Sequence, residues 1–360
     1  MEIFRAMEEY GTQQLVFCYD RTSGLRAIVA VHDTTLGPAL GGCRMWPYRS
    51  EEEAVIDALR LSQGMTWKNA AMGLPLGGGK TVVLGDPAKD KSEALWRALG
   101  AFIDRMGGVY ITAEDVGTTP EDMEQVAQST RYVAGLNLRS GDPSPATAYG
   151  VYQGMRAALE VAFGEPSVAG RHVVVQGLGH VGLALTERLI REGAAVTVTD
   201  IYPDRLRPHV DRLGLGVIGP DDVYDADADV FAPCALGGVL NADTIRRLRV
   251  RAVCGAANNQ LATAEDAERL RQRGIFYAPD FVVNGGGVIH VAEEFGIGGF
   301  SENRAMMKIA RIYDQVLAVA DLAAREDITT HEAALRLAER RLRDLGHLLR
   351  LEVRSRRAWT

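Results

Sequence analysis

The chain has 360 residues, of which 47% are hydrophobic and 24% are charged. A composition this apolar excludes an intrinsically disordered chain, and the length is sufficient for two domains of ordinary size, each with its own core. With 40 Lys and Arg against 47 Asp and Glu, the formal charge is −7. Such a chain has no excess of positive charge for a nucleic-acid partner.

The cysteines and the apolar stretches restrict the possible classes further. Four widely spaced cysteines form no Cys-x-x-Cys pair, which argues against a disulfide framework and a zinc site, and no other residues have the spacing of metal ligands. The N-terminal residues lack the apolar run of a signal peptide, and no stretch approaches the ~20 apolar residues of a membrane span. We therefore expect a cytoplasmic protein with no bound metal and no membrane partner. The cysteines are Cys18, Cys43, Cys234 and Cys254.

The first 145 residues mix signals for strands and helices. Residues 15–19 and 25–31 are rich in strand-forming side chains and are separated by a turn composition, which predicts a β-hairpin. Ser50 and Glu53 have the spacing of a helix-capping box and predict a helix that runs through Met65. Further predicted elements are strands at residues 81–84 and 109–112 and a helix that begins at Thr119 and Pro120.

The second half of the chain alternates between strand and helix signals. Residues 138–145 have the composition of a linker, and helical stretches such as 181–192 and 263–273 then separate most of five β-rich runs. This alternation predicts a parallel, doubly wound sheet with helices on both faces. From Thr329 onwards, arginine-rich helices are predicted, with the arginines facing solvent or a neighbouring subunit. The β-rich runs are residues 172–176, 195–199, 230–232, 251–255 and 275–278.

A glycine-rich motif follows the run at residues 172–176. Its G-x-G-x-x-G spacing allows a tight turn, the close approach of a pyrophosphate, and close packing of the following helix. Asp200 ends the next predicted strand, where a carboxylate accepts hydrogen bonds from the adenosine ribose and repels a 2′-phosphate. The motif therefore predicts a site for NAD, while Arg205 and Arg207 leave tolerance of NADP as an alternative. The residues of the motif are Gly177, Leu178, Gly179, His180, Val181 and Gly182.

A lysine follows three glycines in the run Gly77-Gly78-Gly79-Lys80. The run resembles the end of a phosphate-binding P-loop, but Leu74 occupies the place of the first P-loop glycine, so nucleotide hydrolysis is not expected. We interpret the glycines as a loop without bulk that lets a substrate approach Lys80. A second lysine, Lys68, lies near the end of the predicted helix, and Asp115 follows the strand predicted at residues 109–112.

Longer stretches resemble the Glu/Leu/Phe/Val amino-acid dehydrogenase family, and within it the leucine dehydrogenase branch. The resemblance covers roughly residues 1–345. The loop at residues 136–142 is shorter than is usual in the family, and the tail after Gly346 has no match there. The stretches that carry the resemblance are residues 34–42, 74–87, 112–118, 255–260 and 278–287.

The resemblance implies the reversible, NAD-dependent oxidative deamination of an L-amino acid to a 2-oxo acid and ammonia. The substrates implied by the leucine branch are the branched-chain aliphatic amino acids leucine, valine and isoleucine. By matching motif, Lys68 would bind the substrate α-carboxylate, and Lys80 would activate the water that attacks the imine. Asp115 would carry protons to and from the substrate nitrogen. This is chemically coherent, because hydride leaves Cα only from a neutral amine and the lysines stabilise developing negative charge.

The resemblance also implies which residues line the substrate pocket and the nicotinamide end of the cofactor site. Leu40 stands where the glutamate-specific branch has a lysine, and Ala113 where phenylalanine enzymes tend to have glycine, so a narrow, uncharged pocket is expected. The implied substrate-binding residues are Lys68, Leu40, Gly41, Gly42, Met65, Ala113, Val288 and Val291. The residues implied at the nicotinamide end are Thr147, Cys234, Ala235, Asn258 and Asn259.

The architecture expected from the resemblance is a two-domain α/β fold with a cleft between the domains. Residues 1–145 would form an N-terminal α/β domain for substrate binding, catalysis and oligomerisation. Residues 146–328 would form a Rossmann-type NAD-binding domain with a doubly wound parallel sheet, and residues 329–360 would form helices that return to the first domain. Since members of this branch are commonly octamers, a homo-oligomer is expected.

Two alternative functions remain at this point. Phenylalanine dehydrogenase is the alternative within the same chemistry. A non-enzymatic NAD-binding regulator is the alternative from another class, and it would keep Gly177, Gly179 and Asp200. It would have no reason to keep Lys68, Lys80 and Asp115 together, and all three are present.

Overall fold

The chain forms two compact units, which are described separately below. The structure is a computed structural model that describes residues 1–136, 139–296 and 298–357, with side chains as far as residue 346. The first unit comprises Met1–Asp142, Val291–Phe300 and Ala338–Thr360, and the second comprises Pro143–His290 and Ser301–Leu337. Of the helices in the described residues, none is both long enough and apolar enough to cross a membrane.

The first unit contains a mixed five-stranded sheet with the strand order β1-β2-β4-β3-β5. Strand β2 is antiparallel to β1 and β4, whereas β3 is parallel to both β4 and β5. The carboxyl ends of β3, β4 and β5 therefore meet at one edge of the sheet. The strands are β1 (Gln14–Asp20), β2 (Leu25–Asp33), β3 (Ala39–Trp46), β4 (Gly77–Leu84) and β5 (Tyr110–Glu114).

Helices cover both faces of this sheet. The apolar side chains of β2 point alternately to the two faces and so contribute to a core on each side. Val29 packs in a cluster with Trp96 and Leu99 on one face, while Ile28 packs with Val55 and Leu59 on the other. Successive side chains of a strand point to opposite faces, so one buried strand serves both layers. The helices of this region are α1 (Ile3–Tyr10), α2 (Glu51–Ala71), α3 (Glu93–Arg105) and α4 (Pro120–Ala127).

The second unit contains a parallel six-stranded sheet with the order β11-β10-β9-β6-β7-β8. In the sequence order of this unit the strands run 3-2-1-4-5-6, which is the order of the doubly wound dinucleotide-binding fold. The predicted Rossmann-type sheet is thus confirmed. The strands are β6 (His172–Gln176), β7 (Ala195–Thr199), β8 (Gly216–Val217), β9 (Val230–Pro233), β10 (Ala252–Val253) and β11 (Phe276–Tyr277).

The remaining helices follow in chain order and include the long helix at the C-terminus. Thr329 caps that helix, since its hydroxyl accepts a hydrogen bond from the Glu332 N–H at 3.1 Å. The side chains of the predicted arginine-rich tail from Arg350 onwards lie outside the described part of the chain. The helices are α5 (Ser144–Phe163), α6 (His180–Arg191), α7 (Pro203–Leu213), α8 (Ala242–Arg247), α9 (Glu265–Gln272), α10 (Asp280–Val283), α11 (Gly286–Ala292), α12 (Glu302–Ala310), α13 (Ile312–Glu326) and α14 (Thr330–Arg357).

Three local predictions were wrong. Gly77–Lys80 is not a loop but the first half of buried strand β4. Ser144 and Pro145 do not belong to a linker but begin the 20-residue helix α5, while Leu138 of that predicted linker lies outside the described residues. Ser50 does cap α2 through the Glu53 N–H, but the Glu53 carboxylate accepts a hydrogen bond from the Arg49 N–H (2.9 Å) and does not close the capping box.

Candidate active site

A buried ion pair lies in the first unit where β3, β4 and β5 run side by side. Lys80, in β4, is only 4% exposed, and its Nζ lies 2.9 Å from Oδ2 of Asp115, which follows the last residue of β5. The backbone of Asp115 is fixed by Thr118, whose hydroxyl accepts a hydrogen bond from the Asp115 N–H (2.9 Å) and donates one to the Cys43 carbonyl (2.8 Å). The fold thus brings together two side chains that are 35 positions apart in the sequence.

Asp115 is ionised at neutral pH because positive charges surround its carboxylate. Burial alone would raise its pKa, but the charges of Lys80 and Arg44, which both contact Oδ2 at 2.9 Å, lower the pKa to about 2. Cys43, beside the pair in β3, has its pKa raised by burial, so its thiol stays neutral. The site therefore holds two cations around one carboxylate in a water-poor part of the sheet.

The glycines around this pair are required by close packing. A side chain at Gly41 would place its Cβ 1.6 Å from the Gly79 carbonyl oxygen, and one at Gly78 would meet the Thr66 nitrogen of α2 at 2.1 Å. The expectation that Gly77–Gly79 clear a path to Lys80 was therefore wrong, because backbone and neighbouring side chains already fill that space. Gly42 differs from them, since its Cβ would lie against Asp115 and 3.3 Å from Lys80 Nζ.

The last turns of α2 carry the other predicted substrate-binding residues of this region. Lys68 and Met65 are both half-buried on this helix. The neighbouring Asn69 ties the helix to the sheet, because its side-chain nitrogen donates to the carbonyl oxygens of Gly77 (2.6 Å) and Leu40 (3.4 Å). The end of α2 that bears Lys68 is therefore held directly over β3 and β4.

The residues predicted to line an apolar pocket are distributed over both units. Leu40 is 2% exposed in β3, and Ala113 is half-buried in β5, where it pairs with Gly42. Val291 belongs to the first unit and is buried, whereas Val288 belongs to the second unit and is half-buried, although both lie in α11. Their common role in one pocket stays a prediction.

The glycine motif of the second unit forms the turn between β6 and α6. Gly177 has a positive φ of 97°, and its N–H donates to the Thr199 carbonyl at 2.7 Å. A Cβ at Gly182 would lie 2.0 Å from the Gly177 oxygen, so the third glycine allows close packing of helix against turn. Around Gly179, by contrast, no atom lies within 4 Å of an added Cβ among the described residues. That open space precedes the N-terminus of the 12-residue helix α6, which begins at His180, and is suited to a phosphate group.

Asp200 lies beside this turn, directly after β7. Its Oδ2 accepts a hydrogen bond from the Leu178 N–H at 2.9 Å, and its Oδ1 accepts one from the Tyr202 N–H at 2.8 Å. The Arg205 guanidinium is 4.0 Å away. Because each carboxylate oxygen has a second lone pair, Asp200 can still accept a hydrogen bond from a ribose hydroxyl.

The residues predicted at the nicotinamide end lie in loops and at a helix start of the second unit. Thr147 is in the first turn of α5, where its hydroxyl donates to the Pro143 carbonyl at 3.0 Å. Cys234 and Ala235 follow β9, and burial raises the pKa of the Cys234 thiol to about 12. Asn258 and Asn259 are exposed; Asn258 accepts a hydrogen bond from the Asn284 amide at 2.8 Å.

One charged group at the site was missed by sequence reasoning. Arg44 in β3 contacts both Asp115 and Asp57. Arg44 lies two residues after Gly42 and therefore on the same face of the strand, and that period-two pattern could have revealed it if residues 39–46 had been recognised as a strand. In the described residues, no cluster of His, Cys, Asp or Glu side chains could hold a metal ion.

Comparison with known proteins gives a consistent set of relatives. The family profile described as Glu/Leu/Phe/Val dehydrogenase, dimerisation domain, matches residues 12–132, and the profile of the Glutamate/Leucine/Phenylalanine/Valine dehydrogenase matches residues 213–345. Leucine dehydrogenase of Thermoactinomyces intermedius is 54% identical over 345 residues, which cover 95% of this chain and 94% of the relative.

Relatives with other names lie at lower identity. Phenylalanine dehydrogenase of Bacillus thermotolerans is 45% identical over 352 residues, covering 96% of this chain and 91% of the relative. The crystal structure of L-tryptophan dehydrogenase from Nostoc punctiforme aligns with a TM-score of 0.84 at 40% identity, covering 96% of this chain and 99% of that one. The same fold thus carries enzymes named for different amino acids.

Proposed function

Since the chain belongs to the Glu/Leu/Phe/Val dehydrogenase family and is an amino-acid dehydrogenase, we propose that it oxidatively deaminates branched-chain aliphatic L-amino acids. The products are the 2-oxo acid and ammonia, the cofactor is NAD, and the reaction is reversible. The substrates are leucine, valine and isoleucine. The observation that carries this proposal is the buried pair of Lys80 and Asp115 beside Gly42, in a chain 54% identical to a relative named leucine dehydrogenase.

The first unit is the substrate-binding and catalytic part of the enzyme. Lys68 binds the α-carboxylate, which orients Cα and its amino group. Asp115 takes a proton from the substrate ammonium group, because hydride can leave Cα only when the amine is neutral. Lys80 then accepts a proton from the water as the water oxygen bonds to the imine carbon, and the protonated lysine stabilises the negative charge that develops on this oxygen when ammonia leaves.

The second unit binds NAD, which accepts the hydride when it is bound. The open space at Gly179 and the N-terminus of α6 receive the pyrophosphate, and the backbone N–H groups of that helix end are its donors. Asp200 accepts hydrogen bonds from the adenosine ribose and repels a 2′-phosphate, which favours NAD over NADP. Thr147, Cys234, Ala235, Asn258 and Asn259 are the proposed residues of the nicotinamide end.

The preference for aliphatic substrates follows from the uncharged side chains proposed for the pocket. In the first unit these are Leu40, Ala113 and Val291, with Gly41, Gly42 and Met65 as further substrate contacts. A glutamate side chain would bury its carboxylate against them without a partner, which costs several kcal/mol. Val288 of the second unit stays a predicted substrate contact.

We also propose that the enzyme is a homo-oligomer that works in the cytoplasm. The first unit contains the residues matched by a profile described as a dimerisation domain. The four cysteines are free thiols in the structure, which is the state that a reducing compartment maintains.

A panel of L-amino acids tests the proposed substrate class. Initial rates are measured with NAD for leucine, valine, isoleucine, phenylalanine and glutamate under one set of conditions, with Lys80→Ala as the inactive control. We expect the three aliphatic substrates to exceed phenylalanine in kcat/KM by roughly tenfold to a few hundredfold, which is the range for a steric difference in a pocket. Glutamate should be lower by orders of magnitude. Phenylalanine at or above leucine would move the assignment to the phenylalanine enzymes, and equal activity with glutamate would remove Leu40 from the pocket.

A further inference from the structure

Arg44 links the proposed catalytic pair to a second carboxylate. Its Nε lies 2.9 Å from Asp115 Oδ2, and its Nη1 lies 3.1 Å from Asp57 Oδ2 in α2. The side chains of Arg44, Asp57 and Asp115 are 21%, 15% and 23% exposed, so the chain of contacts is largely shielded from water. A guanidinium group suits this position because its planar fork can hold two carboxylates at fixed angles.

The network continues beyond Asp57 and anchors Arg44 from behind. The Tyr48 hydroxyl donates a hydrogen bond to Asp57 Oδ2 at 2.7 Å, and the half-exposed Arg60 contacts Asp57 Oδ1 at 2.9 Å. Positive and negative groups therefore alternate from Lys80 through Asp115 and Arg44 to Asp57. Such an alternating network fixes the orientation of each member better than an isolated pair does.

The two cations that contact Asp115 bind the same oxygen. Lys80 Nζ and Arg44 Nε are both 2.9 Å from Oδ2, and among the described residues no hydrogen bond reaches Oδ1. When Lys80 turns to the reacting water, it can no longer hold Asp115. Arg44 remains on Oδ2 and leaves Oδ1 to face the substrate nitrogen.

We propose that Arg44 is a positioning residue for this reaction, which holds Asp115 through Oδ2 while Lys80 engages the water and the substrate. This proposal rests on the proposed function. Arg44 does not touch the reacting atoms; it acts through Asp115, and Asp57 holds it in place. Its positive charge also affects the pKa of each titratable group in the cluster, and we call this effect the electrostatic balance of the cluster.

The pH dependence of the cluster reports on that balance, and burial keeps three of its titratable neighbours neutral. Burial raises the pKa of Cys43 in β3, of Tyr110 in β5 and of Tyr48 before α2, so these groups carry no charge in a neutral assay. The charged groups are then Lys80, Asp115, Arg44, Asp57 and Arg60, with Lys68 further along α2. Removing one positive charge raises the pKa of the remaining titratable groups, and removing one negative charge lowers it.

The test compares Arg44→Gln, Arg44→Lys and Asp57→Asn with the wild type in kcat and KM for leucine across pH, at saturating NAD. Arg44→Gln should lower kcat by about 10- to 100-fold, as expected for a misplaced catalytic group, with little change in KM. In the plot of kcat against pH, it should also move the acidic limb to higher pH by about one unit. Asp57→Asn should move that limb to lower pH. Arg44→Lys keeps the charge and should restore the position of the limb, but only part of kcat, since an ammonium cannot bridge both carboxylates.

Controls separate positioning from a purely structural role. Arg60→Gln removes another arginine from Asp57 without touching Asp115. Because the Arg60 side chain is 49% exposed and water screens its charge, this variant should keep kcat near wild type and move the limb less than Arg44→Gln does. Thermal melting identifies variants that fail to fold, and if Arg44→Gln is among them, Arg44→Lys and Asp57→Asn decide the question. A loss of kcat with an unmoved limb in Arg44→Gln, or limb shifts of the same sign in Arg44→Gln and Asp57→Asn, would overturn the proposal. If Lys80→Ala or Asp115→Asn stays active, the proposed function itself is wrong.

Discussion

Gly42→Ala adds a single methyl group between the two members of the proposed catalytic pair. The added Cβ would lie 2.7 Å from Asp115 Cβ, 2.8 Å from the Glu114 carbonyl oxygen and 3.3 Å from Lys80 Nζ. Gly42 does not have a positive φ, so alanine can adopt its backbone conformation. The effect of the substitution should therefore come from the contacts of the added methyl group with Glu114, Asp115 and Lys80.

The size of the effect follows from these distances. Carbon atoms pack at about 3.5 Å or more, so Asp115 Cβ, 2.7 Å from the added Cβ, must move by roughly 0.8 Å to accept the methyl group. The Lys80–Asp115 contact, at 2.9 Å, cannot survive such a shift without rearrangement. A misplacement of about 1 Å in a catalytic group can lower the rate about 100-fold, and we expect a loss of that order in kcat. Overpacking should also destabilise the unit by about 1–3 kcal/mol.

The assay measures kcat and KM for leucine together with the free energy of unfolding in urea. The matched control is Gly64→Ala, because Gly64 lies in α2 with no atom within 4 Å of the added Cβ. Alanine is favoured over glycine in a helix by roughly 0.5–1 kcal/mol, so this control should gain stability and keep its activity. A Gly42→Ala enzyme with wild-type kcat would show that Asp115 and Lys80 need not keep the observed geometry, and the reasoning from this ion pair would fail.

Three further predictions concern the other charged residues. Lys80→Ala should lower kcat by several orders of magnitude while NAD still binds, as measured by isothermal titration of the cofactor; retention of a tenth of wild-type turnover would contradict its proposed role. NAD should exceed NADP at least about tenfold in kcat/KM because of Asp200, and Asp200→Asn should narrow that ratio; equal efficiencies in the wild type would indicate that Arg205 accommodates the 2′-phosphate. Asp115→Asn should lower the free energy of unfolding at neutral pH. The pKa of Asp115 is about 2 in the folded state, below that of an aspartate in the unfolded chain. Ionised Asp115 therefore stabilises the fold fully above the unfolded-state pKa, and this stabilisation is lost as the pH falls to about 2. In urea unfolding, the difference in free energy between wild type and variant should decrease below about pH 5 and vanish near pH 2.

The second unit was predictable because its signals are local. Strand, glycine motif and helix follow one another within residues 172–191, and each of these elements lies where the sequence pattern indicates. Asp200 was predicted to end the next strand and lies one residue after the end of β7. This alternation predicts a parallel, doubly wound sheet, whereas the strand order 3-2-1-4-5-6 is known only from the structure.

The first unit was harder to predict because its site depends on contacts distant in sequence. Strand β3 was missed, since Gly37, Pro38, Gly41 and Gly42 dilute its hydrophobic pattern and glycine disfavours strands. The glycines of β4 were taken for a loop for the same reason. Arg44 and Asp115, 71 positions apart, meet only once β3 and β5 pair in parallel, and no local signal encodes that register.

The glycines of β3 and β4 and the buried charges of the site lower the stability of the first unit. Each glycine in a strand interior is unfavourable by roughly 0.5–1 kcal/mol, and burying charged groups adds a desolvation cost that their mutual attraction offsets only in good geometry. The local structure is held by polar contacts to the backbone. The Tyr110 hydroxyl donates to the Gly41 carbonyl at 2.8 Å, and Asn69 donates to the Gly77 carbonyl at 2.6 Å.

These contacts add to the backbone pairing of β3 and β4 at glycines that have no side chains to pack. Both bonds end on backbone carbonyls, so they resist sliding of β3 and β4 without adding bulk beside Lys80. Strand glycines and buried charges, which are locally unfavourable, are expected where catalysis requires them and where the surrounding core offsets their free-energy cost. In this unit the apolar clusters on both faces of β2 supply that support. Strands β3 and β4 also contribute to these clusters, through Met45 and Val83 on one face and Val82 on the other, so Gly42→Ala should lower both kcat and the free energy of unfolding.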